Sequence, residues 1–192
     1  MMTQSLLELY NNNQTKYLDT DKENPNHHYI SKCYSELFDK FKNQPITMLE
    51  IGVASGGSLL MWNDFFESGT IYGLDIGSSF DKRFDECIKN VQDISKIVLV
   101  ESDAYQQDIV NTLPDFDIII DDGPHTLESH LWFLEMYLPK LKKGGIAIIE
   151  DVVNIRWIEF YKKYVTNEYN HFTVDTDRSL EYNNLLFVIE KI

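Results

Sequence analysis

Apolar and polar positions change rhythm repeatedly along this chain, and each change marks an element. Residues 1–27 are polar and rich in asparagine (Asn11-Asn12-Asn13, Asn24-Pro25-Asn26), with one short helix expected at Ser5–Tyr10. Between Tyr29 and Phe41 the side chains Tyr34, Leu37, Phe38 and Phe41 fall at helical spacing, which predicts an amphipathic helix closed off by Pro45. Beyond it, short apolar runs alternate with helical patterns. Strands are predicted at Thr47–Ile51, Thr70–Asp75, Lys96–Glu101, Phe116–Asp121 and Gly145–Glu150. Helices are predicted at Ser58–Glu67, Phe80–Val91, Gln106–Leu113, Leu127–Leu141 and Ile155–Val165. Two last β-like runs, Phe172–Asp175 and Asn184–Ile189, have no helix between them and read as a hairpin. Such alternation indicates a doubly wound α/β sheet. It would have seven strands, mostly parallel, with one antiparallel strand from the C-terminal hairpin. Residues 1–44 form a helical preface that contributes to the site, and residues 45–192 form the main domain.

The strand ends carry the candidate chemistry. The run Phe116-Asp117-Ile118-Ile119-Ile120 ends in Asp121 and Asp122, a Gly123-Pro124 turn and His125. About thirty residues on, Gly145-Ile146-Ala147-Ile148-Ile149 ends in Glu150 and Asp151. Continuously apolar strands are buried on both faces, as in parallel sheets, whose ligands bind beyond the carboxyl ends of the strands. Two such strands side by side bring four carboxylates and a histidine to one rim. Crowded carboxylates repel unless a cation or proton holds them, and neither motif contains a Lys or Arg. The pattern points to a divalent metal beside a histidine base.

The first strand adds a binding loop. Met48-Leu49-Glu50-Ile51 runs into Gly52-Val53-Ala54-Ser55-Gly56-Gly57-Ser58 and then a helix. Glycines let a backbone approach a ligand closely, and the helix start offers free N–H groups to an anion. No Gly-Lys-Ser/Thr follows, and the GxGxxG spacing is broken, so neither a P-loop nor a dinucleotide fingerprint is present. Asp75, about twenty residues on, ends the second strand where a carboxylate commonly accepts from ribose hydroxyls. Asp103 stands just past the third strand.

Composition narrows the partners. The net charge is −14, which argues against nucleic acid, because that binding depends on neutralising phosphates with basic side chains. No run is long and apolar enough to span a bilayer, and the N-terminus lacks a signal-peptide layout. Cys33 and Cys87 stand in unrelated contexts and suggest neither a disulfide scaffold nor a zinc site. A cytoplasmic protein acting on a small molecule is the plain expectation, with self-association into a homo-oligomer left open.

The motifs Thr20-Asp21-Lys22, His27-His28-Tyr29, Leu49–Val53, Gly56–Leu59, Asp121–His125 and Ile149–Asp151 together resemble class I S-adenosylmethionine-dependent methyltransferases. The similarity is to the metal-dependent branch holding macrolide-sugar O-methyltransferases and cephalosporin-hydroxylase-like proteins. It runs from about Thr20 to the C-terminus and implies a Rossmann-like sheet. It also implies methyl transfer to a hydroxyl of a sugar or glycosylated small molecule. By the same resemblance Glu50, Gly52 and Ser58 would hold the methionine end of S-adenosylmethionine, Asp75 the ribose and Asp103 the adenine surroundings. Asp121 is placed with these cofactor residues. Asp122, Glu150 and Asp151 would bind Mg2+ or Mn2+, His125 would be the general base, and Trp157 would lie at the substrate loop. Pro124 departs from the serine usual in the branch, and Glu23-Asn24-Pro25-Asn26 leaves open whether His27 or His28 matches the motif.

Plainer readings stand beside these. Asp121 and Asp122 would serve as caps for the helix beginning near Thr126, a role assigned here to Asp121 with the metal left to Asp122, and Glu150-Asp151 would cap the helix containing Trp157. Asp21-Lys22 reads as a surface ion pair, drawn toward the active site only by the family resemblance. His130, Trp132, Phe133, Met136 and Tyr137 read as helix packing. As whole-protein alternatives, the chain would be a non-catalytic S-adenosylmethionine-binding subunit, a nicotinamide oxidoreductase, or a methyltransferase for an amine or phenol.

Overall fold

A computed structural model of the chain describes residues 4–17, 20–24, 27–76, 96–176 and 185–192. The strands are β1 (Pro45–Ile51), β2 (Ser68–Asp75), β3 (Ile97–Glu101), β4 (Phe116–Asp121), β5 (Leu141–Val152), β6 (Tyr169–Asp175) and β7 (Leu185–Lys191). They form one sheet in the order β3-β2-β1-β4-β5-β7-β6. β3, β2, β1, β4 and β5 are parallel, whereas β7 runs antiparallel to both β5 and β6. The hairpin thus inserts its second strand beside β5, and the expected mostly parallel sheet with an antiparallel C-terminal strand is the one formed. The helices are α1 (Leu6–Asn12), α2 (Ser35–Asp39), α3 (Gly57–Phe65), α4 (Gln107–Thr112), α5 (Leu127–Tyr137) and α6 (Ile158–Tyr161). The helix expected at Phe80–Val91 lies outside the described residues. Among the described residues no helix is long and apolar enough to cross a membrane.

The two apolar faces of the sheet explain why its central strands read as unbroken hydrophobic runs. Met48, Ile118, Ile120, Ile146 and Ile148 point to one side, where they join Leu6, Tyr17, Tyr34, Phe38 and Trp62. Leu49, Ile51, Ile119, Ala147 and Ile149 point to the other, against Phe133, Tyr137 and Tyr161. The N-terminal segment is therefore one of the sheet's covering layers. Each fully buried large apolar side chain contributes about 1.5–3 kcal/mol of transfer free energy, so the segment is bound firmly to the sheet. Ser5 and Glu8 form a reciprocal capping box at the start of α1.

Several elements differ from expectation for identifiable reasons. The helix expected to run to Leu141 ends at Tyr137, because Pro139 has no N–H to continue it, and a 3-10 turn at Leu138–Lys140 leads into β5. β5 starts earlier than expected and passes an irregularity in its pairing with β4. Gly144, at φ +78°, lies in that stretch. After β5, only a 3-10 turn (Ile155–Trp157) and the single turn of α6 form, since Ile158 and Tyr161 are buried while Ile155 and Phe160 face solvent.

Candidate active site

The strand order reverses at β1, with β2 on one side and β4 on the other, and a crevice opens at such a point beyond the strand ends. Glu50, fully buried near the end of β1, accepts from Ser58 Oγ and Trp62 Nε1 through Oε2, each at 2.9 Å. That pins the strand to α3. The loop then threads between its neighbours, with the Gly52 N–H donating to Leu74 O (3.0 Å) and the Asp122 N–H to Ile51 O (2.9 Å). Gly52 has φ +85°, and a Cβ there would lie 2.0 Å from the Asp122 carbonyl oxygen. Asp75 shapes this loop as well. Its Oδ2 accepts from the backbone N–H of Val53 (2.8 Å) and of Ala54 (3.3 Å). Thr20, Lys22, Gly52, Ala54 and Ser58 line a recess of about 50 Å3. Asp103, exposed beyond β3, accepts from the Tyr105 N–H and from Gln106 Nε2.

At the adjoining ends of β4 and β5, three ligand groups converge. One ligand atom each from Asp122, His125 and Asp151 lies within 4.8 Å of the others. His125 Nε2 is 3.7 Å from Asp122 Oδ1 and 3.7 Å from Asp151 Oδ2. Both His125 and Asp151 are held in the left-handed region, at φ +54° and +50°. Such backbone is costly for non-glycine residues and clusters at functional sites. Glu150, also expected among the metal ligands, lies beside this group with other partners. Both its oxygens accept from Lys22 Nζ at 2.9 Å, and Oε1 also accepts from the Tyr34 hydroxyl.

Lys22 is the residue that only the family resemblance drew toward the site. Read as half of a surface ion pair, it is 1% exposed and sits among Glu50, Asp122 and Glu150. The inference that nothing basic neutralises the rim is thereby corrected, since the cation comes from about 100 residues away rather than from either acidic motif. Burial works against its charge, but Asp122, Glu150 and Glu50 outweigh it and hold its pKa well above the ordinary lysine value. Three carboxylates about one ammonium still leave surplus negative charge. Burial and the surrounding carboxylates raise Asp122 to about 6 despite Lys22, and burial and Asp122 likewise hold Glu150 well above its ordinary range.

Two tyrosines close the site from the N-terminal layer. The helix leading into α2 opens into a π-helical turn over Ile30–Tyr34, and the Ser35 N–H donates to Ile30 O five residues back. Positions five apart on an α-helix point about 140° apart, at 3.6 residues per turn. The wider turn lets both Tyr29 and Tyr34 face the acidic strand ends, where Tyr29 donates to Asp151 and Tyr34 to Glu150. π-turns of this kind recur at functional sites. His27 stacks on Tyr29, with Nε2 3.8 Å from Asp151 Oδ1, while His28 is turned towards Glu23. The histidine facing the site is therefore His27. Burial opposes its protonation, but its bond to Asp21 and the Asp151 charge hold its pKa above the ordinary value.

Neither capping alternative is realised. Thr126 caps α5 itself by accepting from the Ser129 N–H, and Asn154 caps the turn containing Trp157. Trp157 lies edge-on to His130, which is buried against Tyr161 as helix packing. Asp121 is fully buried, with Oδ1 accepting from the Tyr105 hydroxyl at 2.7 Å. Burial pushes its pKa up to about 7. The folded protein then holds a proton there that the unfolded chain has released above about pH 4. This contribution to stability is complete below pH 4 and is lost as pH rises through 7. Asn retains the acceptor for Tyr105 without the charge. Asp121→Asn is expected to stabilise the metal-free protein at pH 8 by on the order of 2–4 kcal/mol and to change little at pH 4. Denaturant unfolding at the two pH values checks this.

The donor set suits a hard divalent cation. Asp122 and Asp151 could offer it oxygen ligands, and each is about four-fifths buried (23% and 20% exposed), so solvent still reaches them. The recess beside the glycine loop would admit only a small polar end of a larger ligand, with the helix start of α3 and the Asp75 carboxylate beside it.

A glycine loop and an acidic strand-end cluster on this sheet define a methyltransferase-type site. Residues 49–152 match the family described as a methyltransferase domain, and the chain belongs to that family. It is 30% identical over 71% of its length to the 8-demethyl-8-alpha-L-rhamnosyl tetracenomycin-C 2'-O-methyltransferase of Streptomyces olivaceus, covering 36% of that protein. It is 35% identical over 69% of its length to the mycinamicin VI 2''-O-methyltransferase of Micromonospora griseorubida, covering 34%. The chain thus spans about a third of the length of these curated relatives. Among solved structures, the MycE methyltransferase of mycinamycin biosynthesis in complex with Mg and SAH matches 97% of this chain and 55% of its own. The TM-score is 0.71 and the identity 26%.

Proposed function

We propose that the chain is an S-adenosylmethionine-dependent, divalent-metal-dependent O-methyltransferase acting on a hydroxyl of a sugar or glycosylated small molecule. The observation that carries this is the convergence of Asp122, His125 and Asp151 beside the Gly52 loop. The relatives' names supply the acceptor class, since they transfer methyl groups to sugar hydroxyls of glycosylated natural products. The N-terminal residues up to about 44 belong to the same functional unit, because Lys22, His27, Tyr29 and Tyr34 reach the site from there.

Bound S-adenosylmethionine supplies an activated methyl group, and a bound divalent ion supplies Lewis acidity that stabilises negative charge on the acceptor oxygen. Asp122 and Asp151 would hold the ion. Glu150 would join them only by turning an oxygen away from Lys22 or Tyr34. His125 Nε2, at the mouth of the site, would take the hydroxyl proton. Tyr29 fixes Asp151, and Lys22 fixes Asp122, so both carboxylates are oriented before anything binds. Glu50, held by Ser58 and Trp62, would face the methionine end, with Gly52 allowing close approach. Asp75 would meet the ribose while holding the loop, and Asp103 and Asp121 would flank the adenine side. Orientation of this kind supplies much of the rate advantage in a reaction whose leaving group is already good.

Asp75→Ala is expected to weaken S-adenosylhomocysteine binding by roughly tenfold or more, from loss of charge-assisted hydrogen bonds and of the loop's support. Calorimetry measures this, and unchanged affinity would remove Asp75 from the site. The function itself is tested by incubating glycosylated acceptors with the protein, S-adenosylmethionine and Mg2+, then looking for the mass gain of one methyl group. A panel of sugar-bearing acceptors that stays unmodified while an amine or phenol gains the methyl would overturn the acceptor class.

A further inference from the structure

Lys22 reaches the strand ends from outside both acidic motifs and contacts three adjacent strands at once. It donates to Asp122 Oδ2 (2.9 Å) on the turn after β4 and to both oxygens of Glu150 (2.9 Å) on β5. It lies 3.1 Å from Glu50 Oε1 on β1. An ammonium has three N–H donors and no acceptor, so Asp122 and the two oxygens of Glu150 use its hydrogen-bonding capacity, while Glu50 Oε1 meets it as an ion pair. Asp122 is divided as a result. Its Oδ2 is on Lys22, and its Oδ1 faces His125. Glu50 in turn holds Ser58 and Trp62 through its other oxygen, which ties the same lysine to the glycine loop. Asp151 is outside this set and is held by Tyr29.

We infer that Lys22 is a positioning residue that aims Asp122 Oδ1 at the metal position, pairs it with Glu50 beside the glycine loop, and lowers the site's affinity for a divalent ion. The inference rests on the proposed function, which places the ion at Asp122 and Asp151. A fixed positive charge hydrogen-bonded to one oxygen of a ligand repels a divalent ion on the other, because the charges lie a few ångströms apart in a poorly solvated place. A lysine with only a structural role has the opposite consequence on removal. Its carboxylates would lose their arrangement and hold an ion less well, as buried charges left unpaired disrupt their surroundings.

The test titrates Mn2+ into the wild-type chain and Lys22→Met by calorimetry, since methionine keeps an unbranched stem of similar length without the charge. The variant is expected to melt at a lower temperature yet bind Mn2+ about tenfold tighter or more. Equal or weaker binding overturns the inference. Should Lys22→Met not fold, Lys22→Met/Glu50→Gln removes one charge of each sign. It is expected to bind Mn2+ at least as tightly as the wild type, and weaker binding overturns the inference. A wild-type crystal grown with Mn2+ is a check free of mutation. Lys22 Nζ should remain on Asp122 and Glu50, and a lysine displaced from both by the ion overturns the inference while leaving the proposed function intact. A wild-type chain that takes up no Mn2+ overturns the proposed function, and this inference with it.

Discussion

Asp122→Asn is expected to reduce methyl transfer to background, and chelation with EDTA to do the same to the wild type until Mg2+ or Mn2+ is restored. Asp122 is the carboxylate on which the site turns. One oxygen is fixed by Lys22, and the other lies 3.7 Å from His125 Nε2 beside Asp151. Asn is isosteric and still accepts from Lys22, so the fold should survive while the charge needed for a divalent ion is lost. Cofactor binding should also survive, because the glycine loop is held by Glu50, Asp75 and Ser58 and not by the Asp122 carboxylate. His125→Ala should behave differently. Metal and S-adenosylhomocysteine should still bind, with the methyl-transfer step slowed by about 10²-fold or more if the imidazole is the base. One transfer assay, read with and without EDTA, separates these outcomes. Activity indifferent to EDTA would turn the carboxylates into substrate ligands, and full turnover in the histidine variant would move the base to another group, with His27 the nearest alternative.

Gly52→Ala should be the most damaging methyl group added at any of the described glycines. The added Cβ would fall 2.0 Å from the Asp122 carbonyl oxygen and 2.7 Å from its carbon, both backbone atoms that move only if β4 moves. The residue also sits at φ +85°, where a side chain costs roughly 1–2 kcal/mol by itself. Gly144→Ala provides the control. Its φ is +78°, yet nothing lies within 4 Å of the new Cβ, so it should bear the conformational cost alone. We expect Gly144→Ala to cost about 1 kcal/mol and Gly52→Ala at least about 3 kcal/mol, a fall in Tm of roughly 6–12 °C for a domain of this size. Thermal melts of the two variants side by side check this. Equal effects would mean that β1 and β4 do not approach as closely as described.

What was legible in the sequence follows from where the information is local. The apolar runs at Phe116–Asp121 and Gly145–Glu150 are buried on both faces, and that alone gives their strands and their pairing in a parallel sheet. The Gly52 loop, the paired acids at both strand ends and His125 were visible because turn chemistry and strand ends are written in consecutive residues. The hub of the rim was not. Lys22 lies about 100 residues from Asp122, and no spacing rule distinguishes a lysine that will be buried among carboxylates from one on the surface. Its position between Thr20-Asp21 and the histidine pair was the only available signal. Tyr29 and Tyr34 were hidden for another reason. An α-helical reading assigns them to different sides, and only the π-turn at Ile30–Tyr34 brings both hydroxyls to the acids. Glu150 and Asp151 show the same limit: the left-handed backbone at Asp151 and the pairing irregularity after Ile149 break strand alternation, so both acids face the N-terminal layer, where Tyr34 and Lys22 hold Glu150 and Tyr29 holds Asp151. Asp121 and Asp122 divide in the same way, one buried against Tyr105 and the other opening onto the site.

The most direct test of the account is diffraction from crystals of this chain grown with Mn2+ and S-adenosylhomocysteine, with the manganese located by its anomalous signal. The expected result is one peak at the carboxyl ends of β4 and β5, about 2.1 Å from oxygens of both Asp122 and Asp151, with His125 facing it. No peak at saturating Mn2+, or a peak that neither aspartate touches, would contradict the account.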